Sequence, residues 1–360
     1  MPLYGFGSNI TGQLGLPEDI IFTDKPIEIK EFRNLKILKI ACGKMHNLVL
    51  CEKNMLFSWG VNDDYALGRE GVDNEGVTQV DFDEDIEDIC AGASFSAILT
   101  KKGRVYVCGT FKSTNGIFGF SINNKFAIGF QLISSVKGIK SISAGQNHIL
   151  MLHKNGDVYA MGANESFQLG RKHRLRNEKY VLIPQIISSS SNRNENYNFI
   201  QLSAGQYHSF ALNTNYELFS WGSNCNGQLG NGTLESADLK YKINIKDVKD
   251  IQCGYNHSVI LTNSGHVYGC GENKQFQLIN SDKLIYNTFV KLDNKKYDKI
   301  RCGGDFTVMV KNNKLYTRGI NLECECGLEG VDCARDLVEV DVSGKLRDVQ
   351  CGGNYTLIHK

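Results

Sequence analysis

Short apolar runs recur along this chain at a regular interval, each introduced by a small residue and a glycine. One glycine series, Gly43, Gly92, Gly145, Gly205, Gly254, Gly303 and Gly352, precedes strand-like stretches such as His46 to Leu50 and His257 to Leu261. A second series, Gly7, Gly60, Gly109, Gly162, Gly222, Gly271 and Gly319, closes runs such as LFSWG and VYAMG. Five successive pairs are 17 residues apart and the sixth 16. Between paired glycines, AILTKKGRVYVCG, LMLHKNGDVYAMG and VILTNSGHVYGCG place Lys-Gly, Asn-Gly or Ser-Gly at the centre, the turn chemistry of a β-hairpin. Each repeat of roughly 50 residues therefore predicts a small antiparallel sheet that cannot stand alone.

After the second glycine comes a polar loop ending in Gln13-Leu14-Gly15, Gln168-Leu169-Gly170 or Gln228-Leu229-Gly230, with Ala66-Leu67-Gly68 and Gln277-Leu278-Ile279 as variants. The chain opens with the second half of a repeat, Leu3 to Gly15, and closes with the first half, Val349 to His359. Complementary halves at the two ends favour a ring over an open solenoid, because pairing them leaves no unfinished sheet. The expectation is an all-β fold, a seven-bladed β-propeller closed by pairing of the N- and C-terminal strands. One domain then spans 1–360, its seventh blade assembled from about 343–360 plus 1–16, with a basic and Ser-rich insertion at about 171–197.

Composition fits a globular chain, with 41% apolar and 22% charged residues. With 37 glycines and only 4 prolines, the turns are made by Gly, Asn and Asp. No apolar stretch approaches membrane-spanning length, and Leu3 to Phe6 already reads as a strand, so a soluble protein without a secretion signal is expected. Of the 12 cysteines, Cys42, Cys253, Cys302 and Cys351 share a repeat position with Ala91, Ala144 and Ala204, which marks a small buried site rather than a disulfide half. Cys324, Cys326 and Cys333 lack the spacing and histidine partners of a zinc site. His46, His148, His208 and His257 also share a position, but Phe95, Phe306 and Tyr355 fill it in the other repeats, so it reads as packing and not metal ligation. No phosphate loop, metalloprotease motif or nucleophile elbow is present, which argues against bond chemistry; no cofactor or metal is expected.

The net charge of +1 excludes a global basic field. Locally, Val61 to Cys90 holds eleven acids against Arg69 alone, while Arg171, Lys172, Arg174, Arg176 and Lys179 face only Glu178. Two patches of opposite sign fit either directional contacts or solvated loops.

The repeated A/C-G-x-x-H core, the hairpin, the strand ending in Gly and the Q-L-G loop resemble the regulator of chromosome condensation family, over Leu3 to about Ile358. That resemblance implies a seven-bladed propeller, and in some members exchange of guanine nucleotide on the nuclear GTPase Ran. WGVNDDYALGRE (Trp59 to Glu70) and GTFKSTNGIFG (Gly109 to Gly119) closely resemble blades of the family's Ran exchange factors. The second breaks this chain's own repeat: its loop lacks Q-L-G and reads Phe111, Lys112, Ser113, Thr114, Asn115, Gly116. In those exchange factors the corresponding segment is a wedge pushed into the GTPase beside its nucleotide; the alternative is a drifted repeat.

The resemblance further implies a GTPase-binding face with His46, Asn147, Arg171 and Asn256, in which Ala93, Asn147 and Asn256 stand where the family carries acidic or histidine residues. The acidic run near Asp81 to Asp88 is a candidate to compensate. It also implies a chromatin-binding loop at Lys172, Arg174 and Arg176 that contacts the acidic patch of the nucleosome. With no basic tail before Leu3, weak or no direct DNA binding is expected. The expected protein is a monomeric, chromatin-associated exchange factor for Ran without bond chemistry or membrane contact, located in the nucleus with the cytoplasm as a second location. A non-catalytic propeller scaffold is the alternative.

Overall fold

The computed structural model describes residues 2–360 except 72–75, 114–115, 134, 172–179, 189–196 and 343, with the backbone alone at Ile117 and Ser188. Seven four-stranded antiparallel sheets and one two-stranded ribbon make up the described strands. Blade 1 is formed by Ile37–Cys42, His46–Cys51, Leu56–Gly60 and Thr78–Val80, from the inner to the outer strand. Blades 2 to 6 repeat this order over 86–132, 139–188, 199–243, 248–291 and 299–340. Blade 7 takes its inner strands, Asp348–Cys351 and Tyr355–His359, from the C-terminus and its outer strands, Leu3–Ser8 and Phe22–Ile29, from the N-terminus. Leu3 pairs with His359 and Gly7 with Tyr355, so the ring closes as the terminal half-repeats require.

Two boundaries differ from expectation. The N-terminal share of blade 7 runs to Ile29 and not to about 16, because Gln13-Leu14-Gly15 ends a loop that still leads into an outer strand. The stretch expected as one insertion at 171–197 contains the outer strand of blade 3, Gln185–Ser188, paired with Val158–Gly162.

The second strand of each blade is sandwiched between its neighbours on both faces, which is why it does not alternate between buried and exposed: all six residues of His46–Cys51 and of His257–Thr262 are buried, polar ones included. Apolar clusters fill the gaps between blades; Trp59, Phe32, Leu14 and Tyr355 join blade 7 to blade 1. The repeated ring position belongs to this packing. A Cβ on Gly43 would lie 2.7 Å from the His46 ring, one on Gly145 2.2 Å from His148, and one on Gly303 2.0 Å from Phe306. The first glycine series thus exists to seat a ring as well as to let neighbouring backbones approach.

Each of the four histidines reaches a hydroxyl on the next blade. His46 Nε2 lies 2.8 Å from Ser96 Oγ, His148 2.9 Å from Ser209, His208 2.8 Å from Ser258 and His257 3.1 Å from Thr307. Burial lowers their pKa values, to about 4 for His46 and about 3 for the others, so they are neutral staples between blades. Phe95 has no such need, and at the Ser96 position of blade 3 stands Ile149, a member of the same buried apolar cluster.

Candidate functional site

Antiparallel order puts two kinds of connection on each end of the barrel. One end carries the turns between inner and second strands and the loops between third and outer strands. The other carries the remaining hairpin turns and the crossings between blades. At the first end, backbone hydrogen bonds link neighbouring turns around the channel mouth, including Lys44 N–H to Gly92 O at 3.0 Å, Ala93 to Gln146 at 2.8 Å and Gly353 to Lys44 at 3.2 Å. Gly304 and Gly353 leave room there for Tyr255, whose ring comes within 2.6 Å and whose hydroxyl comes within 2.7 Å of where their Cβ atoms would be.

Six of the seven loops at this end close in one way. An Asn two residues after the second-series glycine accepts the N–H of a buried residue five positions on. Asn9 binds Leu14 at 3.0 Å, Asn62 Leu67 at 3.1 Å, Asn164 Leu169 at 2.9 Å, Asn224 Leu229 at 2.9 Å, Asn273 Leu278 at 3.0 Å and Asn321 Cys326 at 3.0 Å. The Gln of the triplet accepts the N–H two residues before it, as Gln228 does from Asn226 at 2.9 Å. Glu325-Cys326-Gly327 is a sixth triplet hidden by substitution, since Glu325 Oε2 accepts the Glu323 N–H at 2.9 Å. Burial pushes the Glu325 carboxyl up to about 7.

Blade 2 has Phe111 at the Asn position. Its ring is fully buried, with its centroid 4.7 Å from that of Phe95, and the chain leaves as an antiparallel ribbon, Phe111–Ser113 paired with Gly116–Gly119. Thr114 and Asn115 lie outside the described residues. Gly116 is exposed with φ of 109°, a conformation a side chain would strain. Both neighbouring blades hold the ribbon's base. Lys112 N–H donates to Asn147 Oδ1 at 3.2 Å from blade 3, and Lys112 Nζ pairs with Asp64 of blade 1.

The remaining expected residues separate. His46 is fully buried inside the blade 1 to blade 2 joint, which corrects its assignment to a partner-facing surface. Asn147 is 7% exposed and faces the ribbon. Asn256 is half-buried and donates to Glu272 Oε2 at 3.1 Å, while Lys274 pairs with the same carboxylate. Arg171 lies at the same end with its two terminal nitrogens buried, and burial lowers its pKa to about 10. Lys172, Arg174 and Arg176 lie outside the described residues. The residue directly before Phe95 is Ser94, not Ala93. At that same turn position blade 6 has Asp305, a carboxylate the sequence reading missed; burial, reinforced by Glu272, pushes it up to about 6.

The acidic run sits at the opposite end, in the crossing from blade 1 to blade 2. Its charge is met locally: Glu84 pairs with Arg104 at 2.9 Å, and Asp85 with Lys101 at 3.7 Å. It does not stand in for missing carboxylates on the ribbon's end.

The RCC1-like domain profile matches residues 2–358. The chain belongs to the RCC1-like domain family. Among RCC1-like relatives, the regulator of chromosome condensation of Xenopus laevis is 32% identical over 235 residues, covering 62% of this chain and 55% of the relative. The guanine nucleotide exchange factor SRM1 of Saccharomyces cerevisiae is 31% identical over 231 residues, covering 54% and 46%. The chain spans about half the length of the curated relatives it matches. The crystal structure of Prp20p from Saccharomyces cerevisiae, described with its binding properties to Gsp1p and histones, superposes with a TM-score of 0.92 at 24% identity, over 99% of this chain and 90% of that one. At that identity the likeness speaks for the RCC1-like propeller fold.

Proposed function

We propose that this protein is a guanine nucleotide exchange factor acting on a Ran-class small GTPase in the nucleus. The observation that carries the reading is the one loop of seven in which a closing Asn is replaced by Phe111 and the chain projects as an anchored ribbon. An exchange factor forms and breaks no covalent bonds. It accelerates nucleotide release by binding the nucleotide-free GTPase more tightly than the loaded one, and a rigid element entering beside the phosphate site supplies that difference. The ribbon is suited to this because its base is buried and held from two sides, so little ordering is left to be done on contact. On the same end Asp64 and Glu272 are already paired with Lys112 and Lys274, so of these three carboxylates Asp305 is the one left to meet a basic GTPase surface. An exchange factor among the relatives supports the same reading.

The test is release of a fluorescent GDP analogue from the same organism's Ran-class GTPase with catalytic amounts of protein. Acceleration over intrinsic release is expected, and its absence sinks the proposal. Chromatin contact through Lys172, Arg174 and Arg176 is the second part of this reading, tested by nucleosome binding after their replacement with Ala. A non-catalytic scaffold is favoured by one observation: Asn147 spends its carbonyl on the ribbon instead of offering it to a partner. Retained cellular function after Phe111 to Asn115 are replaced by Gly-Ser would select that alternative.

A further inference from the structure

We infer that Asp64, on the blade 1 loop, is a positioning residue for the blade 2 ribbon, acting through Lys112. This inference rests on the exchange reading for its functional consequence, but its structural basis is independent of it. Asp64 lies two residues beyond Asn62, whose side-chain carbonyl closes the blade 1 loop on Leu67 at 3.1 Å. The carboxylate is thus mounted on a closed, well-anchored loop. Its side chain is 12% exposed and pairs with the Lys112 ammonium, which is 38% exposed. A carboxylate this sheltered is screened less by solvent than an ordinary surface pair.

Lys112 is a junction. Its main-chain N–H is taken by Asn147 of blade 3, its side chain by Asp64 of blade 1, and the residue before it, Phe111, is locked against Phe95 in blade 2. The ribbon itself is short, with three residues on one strand and four on the other, and among the described residues it pairs with no third strand. A two-stranded ribbon is only marginally stable alone. Its angle to the barrel is therefore set at its base, and Asp64 is the one of these anchors that acts on the side chain leading into the tip. Removing it leaves the buried Phe111 in place and frees the segment beyond.

The experiment uses the full chain in four forms: wild type, Asp64→Lys, Lys112→Asp, and the double swap Asp64→Lys with Lys112→Asp. Amide hydrogen exchange of 112–119 reads the ribbon directly, and GDP release from the GTPase reads its effect. Each single variant is expected to speed amide exchange in the ribbon but not in blade 4, with an unchanged melting temperature. Each is expected to lower kcat for GDP release about tenfold with KM within about twofold, since misplacing an acting group costs rate more than encounter. The double swap is expected to restore both readouts. Unchanged ribbon protection in the single variants, or no recovery in the double swap, overturns the inference. If wild type fails to release GDP while the ribbon loosens and recovers as described, the exchange reading falls and the positioning role of Asp64 stands.

Discussion

The blade 4 and blade 2 loops begin alike and end as different objects. In blade 4, Asn224 Oδ1 takes the Leu229 N–H at 2.9 Å, and its Nδ2 donates to Asn231 Oδ1 and to Thr233 O, each at 3.0 Å. One side chain thereby satisfies a loop that would otherwise expose its backbone, and Leu229 is drawn fully into the core. In blade 2 the same position is Phe111, which has nothing to bond with and every reason to be buried. The core is still plugged, but the loop is no longer tied down, and its residues pair with each other instead. A projecting element thus arises where one hydrogen-bonding residue is exchanged for a ring.

Grafting the blade 4 loop, residues 223–236, in place of residues 110–126 breaks this difference most severely. The barrel is expected to fold with a closed seventh loop, and GDP release is expected to fall about 100-fold or to the intrinsic rate, as when a positioned acting group is lost. Circular dichroism confirms folding, and fluorescent nucleotide release reads the loss. The converse change is Asn224→Ala. It strips a buried loop of its acceptor and two donations, and is expected to cost about 3 kcal/mol in urea unfolding, with kcat for exchange unchanged.

Much of this is legible in the amino-acid sequence. Paired glycines and hairpin turns carried the blade count, the half-repeats at the ends carried ring closure, and the departure at Phe111 to Gly116 located the ribbon. The closing Asn was equally legible at Asn9, Asn62, Asn164, Asn224, Asn273 and Asn321, and its constant spacing would have exposed Glu325-Cys326-Gly327 as a disguised triplet. What strand patterning does not carry is the environment of a polar residue between blades. His46 matched a surface position by resemblance, yet its ring is enclosed, because blades pack face to face and a hydroxyl on the next blade satisfies it. The signal was a cross-blade pairing: His46 with Ser96 and His208 with Ser258, but Phe95 with Ile149.

That pairing makes stability depend on pH. Folded-state pKa values of about 4 and about 3, below the ordinary histidine value of 6.5, mean that the unfolded chain binds protons first as pH falls. Stability is therefore held above pH 6.5 and lost below it, on the order of 1–2 kcal/mol for each histidine by pH 5. Substituting His208→Phe together with Ser258→Ile copies the Phe95 and Ile149 pair and is expected to flatten that slope by about one proton in urea midpoints from pH 7.5 to 5. Glu325 works in the opposite sense. With its carboxyl raised to about 7, the fold loses stability as pH climbs from 4.5 towards 7, and Glu325→Gln, the residue found in most other loops, is expected to remove that loss.

The smallest expected effect concerns the two ends of the barrel. If charge anywhere on the molecule could steer a GTPase, neutralising the acidic run would slow exchange as neutralising the ribbon's end does. Asp81 and Asp83 are exposed in the crossing between blades 1 and 2, at the end opposite the ribbon and a barrel's height from it. At physiological salt the field of an exposed charge decays over roughly 8 Å, so these carboxylates do not reach a partner seated on the other end. Asp81→Asn with Asp83→Asn is expected to leave kcat and KM within about 1.5-fold at 0.15 M salt, rising to a detectable change in KM alone when salt is lowered about tenfold and the screening length grows to near 25 Å. A large loss of exchange at 0.15 M salt would place the GTPase on the acidic end and remove the functional distinction between the two faces.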